Sequence, residues 1–412
     1  MQALDIAAGL EGFQGRGAGT DAERRAANWL ADQLTAGGRE ATLETFWCRP
    51  NTALAQAWHV ALALAGSLAS VPSPKTGAAL LLAAIVFVLA DALTGVSPGR
   101  RLTPERASQN VVSPPPEPGA GDRDTDPPPL RLILTANYDA GRMGLVHRDW
   151  LRRPFARLRR LSRGITPGWL GWLLIALIWL EAAAIIRVEG HGGAGVGLVQ
   201  LPPTVAIVIV LALLLELGTA EFSPAAGDNG TGVGVVLVLT RALDTARHRH
   251  LRVEVVLAGA GELGGVGFRR YLRKHGIPRQ RASTAVIGIG AGSEGRLRWW
   301  QSDGPLLPLR YGLRLRQLAG EIAAAEPYLG AAPHIGRGQT PALPARMAGI
   351  PAITLGCLDP DGLVPSSHHR GDAVASATAS AGDDTVQFGL ILLDAIDAVR
   401  ASAVSGAQAS PA

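Results

Sequence analysis

Two acidic turns follow one another between Ser223 and Tyr271, and each places a carboxylate at a junction between secondary-structure elements. The first reads S-P-A-A-G-D-N-G-T-G and leads into the apolar run Val233–Leu243, a buried-helix pattern, so Asp228 sits just before a helix begins. The second reads V-E-V-V-L-A-G-A-G-E-L-G-G-V-G-F-R-R-Y. It predicts a β-branched strand from Val253 to Leu257, then glycines, then a helix carrying Phe268, Tyr271 and Leu272. Glu262 therefore lies just past a strand's C-terminal end, where open α/β sheets build their sites. Taken singly, each acid has a plain structural role, Asp228 as a helix N-cap or Asx turn and Glu262 as a first-turn acid favoured by the helix dipole. Two carboxylates converging in a low-dielectric pocket repel one another, and a bound divalent cation gives their proximity a reason.

Together the turns resemble those of the co-catalytic di-zinc aminopeptidases, the family-twenty-eight metallopeptidases, which carry a D-N-x-S/T-G turn and then a strand ending in G-E-E-L-G. Here these read Asp228-Asn229-Gly230-Thr231-Gly232 and Ala260-Gly261-Glu262-Leu263-Gly264. Three more stretches are similar. The strand Leu130–Thr135 ends in Ala136-Asn137-Tyr138-Asp139, where the family has H-x-D. G-I-P-A-I-T-L at Gly349–Leu355 resembles the final core strand. V-P-S-S-H-H-R-G-D-A-V resembles Y-H-x-x-x-D, with Asp372 four residues after His368.

The resemblance implies a ligand set. In the family a bridging Asp joins a His and an Asp at one metal, and a Glu and a His at the other. The second set is present as Asp228, Glu262 and His368, a three-ligand zinc site with an open position, with His369 as the fallback imidazole. The related glutaminyl cyclases use a single metal held in this way. The first set is missing, since Asn137 and Gly290 occupy its positions. Asp139 and Asp372 stand behind the ligands. The family's general base, the first Glu of G-E-E-L-G, is replaced by Gly261. Glycine cannot move a proton, and losing a general base typically costs about 10² to 10⁴ in rate. A water-filled gap beside Gly261 would substitute only in part.

Other elements must position these residues. Thr20 starts an amphipathic helix with Ala26, Trp29, Leu30 and Leu34 on one face, and Ala41–Phe46 alternates as a strand. Gln109–Val112 reads as a strand, followed by a proline-rich loop, and Thr284–Ile289 is a strand running into Gly290. The fold class expected is α/β: a mixed-sheet zinc-aminopeptidase-like domain with flanking helices, interrupted by two transmembrane helical hairpins. Its three parts are 1–52, 97–147 and 219–402. The hairpins are 53–96 and 167–218, a basic interfacial segment is 148–166, and a disordered tail is 403–412.

Composition supports the interruptions, because 412 residues with 47% hydrophobic content and a mean hydropathy of +0.19 are apolar for a purely soluble chain. Leu54–Val71 and Gly77–Leu93 approach the roughly 20 residues that cross a bilayer, the first being marginal because of Gln56 and His59, and Trp169–Ile186 and Val205–Leu217 are read as two further spans. Asp91, Glu181 and Glu216 lie near span ends and are expected to reach the interface. His147–Arg163 sets Trp150, Leu151, Phe155, Leu158 and Leu161 among arginines, the pattern of a helix on an anionic leaflet, with Pro154 breaking or starting it.

Arg100, Arg101 and Arg148–Arg163 fall on the side of the candidate site, against Lys75 and Arg187 in the opposite loops. By the positive-inside rule the domain is cytoplasmic, on a multi-pass protein of the cell membrane. Lysine occurs only at Lys75 and Lys274, so the basic excess is arginine and indicates no nucleic-acid partner. Cys48 and Cys357 are isolated and form no C-x-x-C pair, so neither a disulfide framework nor a thiolate zinc site is indicated. The expected partners are a bilayer with an anionic inner leaflet and a peptide-like ligand.

Three functions are consistent with this reading. One is a catalytically degenerate, membrane-anchored metallopeptidase-like binding protein with one zinc. Another is an active single-metal aminopeptidase, hydrolase or cyclase-like enzyme that has recruited Asp139 or Glu294 as base. The third is a metal-free structural membrane protein.

Overall fold

The computed structural model describes residues 2–116, 129–246 and 248–408. Most of the proline-rich loop lies outside the described residues, as do residues 409–412 of the expected tail.

The strands are β1 (Thr42–Cys48), β2 (Arg106–Ser113), β3 (Leu130–Asn137), β4 (Leu251–Ala258), β5 (Thr284–Ile289), β6 (Arg296–Asp303), β7 (Leu309–Arg310), β8 (Ala332–Ile335) and β9 (Ala352–Leu358). Helices α1 (Ala3–Glu11) and α2 (Asp21–Ala36) open the chain. Between the first strands and the rest come α3 (Thr52–Ala69), α4 (Pro74–Thr94), the single turn α5 (Pro98–Arg101), α6 (Asp149–Leu161), α7 (Trp169–Val188) and α8 (Ala194–Thr219). Helices α9 (Thr231–Thr245), α10 (Val266–Lys274), α11 (Leu313–Ala325), α12 (Leu343–Met347) and α13 (Ala379–Gln408) complete the chain.

One mixed sheet runs β1-β2-β4-β3-β5-β9-β6-β7, with β8 paired to β6. Its centre, β4-β3-β5-β9, is parallel. These strands are covered on both faces and so read as near-continuous apolar runs. Residues of α1, α2, α9, α11 and α13 form the larger core on one face, and Phe268, Tyr271 and Leu272 of α10 with Ala345 of α12 form the core on the other. Parallel pairing sets the strand ends level. Asn137 lies opposite Ala258, and the β3–β5 register, ending at Thr135 opposite Gly288, brings Gly290 beside Asn137 two residues on.

Four helices, α3, α4, α7 and α8, are long and apolar enough to cross a membrane. They share a core of their own around Leu81, Val88, Leu173, Leu177 and Ile207, and turn Leu82, Val86, Ile178 and Val208 outward. The expected segment Val205–Leu217 is the C-terminal half of a longer helix. α8 extends back through Pro202 and Pro203 to Ala194. The turns before the prolines are held from outside the helix, since Gln200 donates to the Ser67 carbonyl (2.7 Å) and accepts from Arg187 (2.9 Å).

Asp91 does not reach the interface as expected. It is buried, accepting from Gln56 (2.7 Å) and Ser97 (2.9 Å) and paired with Arg100 (2.7 Å), because α5 folds the arginine back over the helix end. Pro154 does not break the basic segment either: α6 runs through it from Asp149 to Leu161.

Candidate metal centre

The site lies at the C-terminal ends of β3 and β4, facing the start of α9. Asp228 stands in a single wide helical turn, Ala226–Gly230, that feeds α9. It caps nothing. The N-cap of α9 is Gly230, and the Asp228 carboxylate accepts from the Ser367 hydroxyl at 2.6 Å. Glu262 is no first-turn acid, because α10 begins only at Val266. Both carboxylates turn toward His368, whose Nε2 is 3.7 Å from Asp228 Oδ2 and 3.3 Å from Glu262 Oε2. One potential ligand atom from each of the three lies within 4.8 Å of the others.

His368 is oriented by its other nitrogen: Nδ1 donates to the Arg142 carbonyl at 3.0 Å, which leaves Nε2 facing the acids. That is how metal-ligating histidines are usually fixed. The ring stacks on His147, centroids 4.0 Å apart, and fits only because residue 141 is glycine, where a Cβ would lie 2.0 Å from the imidazole. His369 faces elsewhere, donating to the His147 carbonyl at 2.7 Å.

The backbone is strained where the three turns converge, since Ala225, Ala260, Ser366 and His368 all have positive φ without being glycine. Such conformations persist only where surrounding structure enforces them, and they cluster at functional sites.

Electrostatics keep the three groups interdependent. Burial, then the charge of Glu262, raises the Asp228 carboxyl above its ordinary range. Burial opposes the Glu262 charge too, but the hydrogen bond and charge of His368 prevail and lower it. Burial would discharge His368, yet Glu262 and Asp228 together raise it to about 9. Two acids around one imidazole favour positive charge between them, and a divalent ion meets the same electrostatic requirement.

Behind the three candidate ligands stand groups that shape the turns. Asp139 is fully buried and accepts from the amides of Gly261 (2.8 Å) and Glu262 (3.2 Å). Asp372 accepts from the amides of Gly227 (2.7 Å) and Asp228 (3.2 Å). Three supports were not legible as such in the sequence. Asn229 donates to the Asp139 carbonyl and to Glu262 Oε1, both at 2.7 Å. Glu23, raised to about 7 by burial, accepts from Gly19 (2.6 Å), Ser108 (2.8 Å) and Ala260 (3.0 Å). Arg16 is completely buried and donates to the carbonyls of Leu10, Tyr138, Pro224 and Ala225. Asn229 belongs to the D-N-G-T-G turn and Glu23 follows the Thr20 cap, whereas nothing local marks Arg16.

The gap expected beside Gly261 is filled. A Cβ on Gly261 would meet Asn137, 2.2 Å from its Cγ and 2.6 Å from its Cβ. The Asn137 Oδ1 is buried there without a hydrogen-bond partner. Gly290 is open, with nothing nearer than the Leu355 carbonyl at 3.7 Å from a Cβ. Glu294 lies exposed in the turn after β5.

The fold is a mixed-sheet α/β domain with flanking helices, like that of zinc aminopeptidases. Residues 213–388 match the family model of Peptidase family M28, so the resemblance stated from the two turns holds. Among solved structures, a zinc aminopeptidase from Bacillus subtilis, BSAP, aligns at a TM-score of 0.54 and 13% identity over 95% of this chain and 93% of its own. LapB from Legionella pneumophila gives 0.51 and 10% over 96% of this chain and 71% of its own. A glutaminyl cyclase from Porphyromonas gingivalis gives 0.50 and 12%, with 95% and 96% covered. At these identities the likeness is one of fold. No curated protein matches.

Proposed function

We propose that this protein is a membrane-anchored metallopeptidase-fold protein that keeps one metal site and binds a peptide-like ligand without ordinary peptidase turnover. The observation that carries the reading is the convergence of Asp228, Glu262 and His368 beside Gly261, a general-base position whose side-chain space Asn137 fills. Two carboxylates and an imidazole with Nε2 free suit zinc. Bound there, the ion would supply Lewis acidity toward a ligand carbonyl. Of the acids weighed as a replacement base, Asp139 has its carboxylate engaged by two backbone amides and Glu294 lies exposed in the turn after β5.

Zinc analysis of the purified full-length chain tests this. The expected result is near one zinc per chain, lost in Asp228→Ala, Glu262→Ala and His368→Ala. No metal in the parent, or metal retained in all three variants, refutes it and leaves a structural role.

In this reading α3–α4 and α7–α8 cross the cell membrane as hairpins, with the domain on the cytoplasmic side. The support is the arginine asymmetry, Arg100, Arg101 and the arginines of α6 on the domain side against Lys75 and Arg187 on the other. Helix α6 lies on the inner leaflet by its exposed Trp150, Phe155, Leu158 and Leu161. Several of its arginines are engaged within the protein, Arg153 with Asp359 and Asp361 (both 3.2 Å) and Arg157 with Asp361 (3.5 Å). Its attraction to anionic lipid therefore falls short of about 1 kcal/mol per basic residue.

Both native cysteines are buried, so single-cysteine labelling has a quiet background. Membrane-impermeant reagent applied to cells is expected to mark His191→Cys in the α7–α8 loop and to spare Thr35→Cys on the exposed face of α2. The reverse pattern would overturn the orientation.

A further inference from the structure

The metal centre opens into a cavity of about 1980 Å³ that does not stop at the edge of the α/β domain. Ordinary small-ligand pockets measure about 300–1,000 Å³, so this one has room for something larger. Glu262 and His368 line one part of it; Trp169, Trp172, Leu173, Ile209, Leu213 and Leu217 of α7 and α8 line another.

The lining changes character in layers. Beside the site and at the level where α7 begins, arginines outnumber carboxylates. Three of them, Arg159, Arg269 and Arg337, each bury an Nε with no hydrogen-bond partner. Burial followed by neighbouring arginine charge lowers Arg159, beside Arg337, and Arg269, beside Arg100 and Arg273, so positive charge is gathered here despite its own repulsion. Below the arginines come Trp169 and Trp172, and below those only the apolar faces of α7 and α8, as far as Trp179 and Pro203. From Trp169 to Trp179 is about 15 Å of helix at 1.5 Å per residue. That is half of a hydrocarbon core about 30 Å thick, the depth of one leaflet.

We infer that the ligand of this site is a lipid-anchored acidic peptide, its acyl chain in the crevice between α7 and α8, its acidic groups on the arginines around Arg159 and Arg337, and its amide head beside the metal centre. The inference rests on the one-metal, membrane-anchored reading above and specifies what that site takes. An acyl chain accounts for the apolar depth, and an acidic head offers carboxylates to the arginines gathered along the lining, whose like charges repel one another. An amide beside Asp228, Glu262 and His368 matches the kind of group a peptidase fold receives.

The test uses the full-length, zinc-loaded protein in phosphatidylcholine nanodiscs, with radiolabelled N-palmitoyl-diglutamate as probe and Leu213→Trp discs as the partition blank. Binding above the blank is expected, with N-acetyl-diglutamate and N-palmitoyl-dilysine at least tenfold weaker competitors. Arg159→Gln should weaken binding at least tenfold while its zinc content stays that of the parent. Equal competition by the acetyl or dilysine compound overturns the proposal, as does unchanged binding in Arg159→Gln or in Leu213→Trp. Stronger competition by phosphatidylglycerol than by the probe itself overturns the peptide head. Failure of the metal reading shows separately, as zinc-free protein that still binds the probe, and failure of the membrane reading shows in the cysteine labelling.

Discussion

Gly261→Glu alone is expected to lower stability by about 1–3 kcal/mol, the usual cost of overpacking a filled interior, and to yield no aminopeptidase turnover. The first carbon of the new side chain would meet the Cβ and Cγ of Asn137, atoms near the backbone that cannot swing aside as a flexible tip could. Removing the obstruction should change the outcome. Asn137 Oδ1 makes no hydrogen bond, so Asn137→Gly gives up none through that oxygen. In the double variant Asn137→Gly/Gly261→Glu, stability should recover relative to the single variant. A carboxylate would then stand beside the site, and hydrolysis of leucyl-p-nitroanilide by zinc-loaded protein should rise by about 10² to 10⁴ over the parent, the usual contribution of a general base. Urea unfolding and a chromogenic assay read the two effects. If the single variant is as stable as the parent, the steric account is wrong. If the folded, zinc-loaded double variant shows no gain, the missing base is not what silences the site.

Arg16→Met should be the most destabilising single substitution near the site, by more than about 3 kcal/mol, with zinc lost at micromolar concentrations. Arg16 gathers four carbonyls from three separate stretches: the end of α1, the exit of β3, and the turn before Asp228. Each buried carbonyl left without a donor costs about 1–3 kcal/mol, and the Asp228 turn would lose what holds its strained Ala225. Arg16→Lys should rescue little, since an ammonium cannot present the flat fork that reaches separate acceptors. The urea midpoint and a zinc titration of the same preparations decide it. A variant within about 1 kcal/mol of the parent that keeps its zinc would remove Arg16 from the site's support.

The candidate ligand positions Asp228 and Glu262 were legible because short-range signals carried them. Asp228 and Glu262 are flanked by glycines and by switches between strand and helix patterns, and such local chemistry places a residue at an element's end without knowledge of the fold. Apolar length likewise marked all four long helices, although α8 was underestimated because Pro202 and Pro203 suppress a helix by local rules, while Gln200 holds it through contacts with α3. The strands β6, β7 and β8 went unread. β7 is two residues long, and β6 and β8 are ordered by pairing with distant partners more than by their own pattern.

What the sequence determined by itself was the identity and order of the turns and the replacement of a base by glycine at position 261, since these are facts of residue type. The tertiary structure decided the rest. It placed His368 against Asp228 and Glu262 across separations of more than a hundred residues, turned His369 away, and closed the space beside Gly261 with Asn137. It also gave Arg16 and Glu23 their roles. Parallel pairing levels the ends of strands remote in sequence, so which loops meet there depends on register and crossover, and neither is written in any one loop.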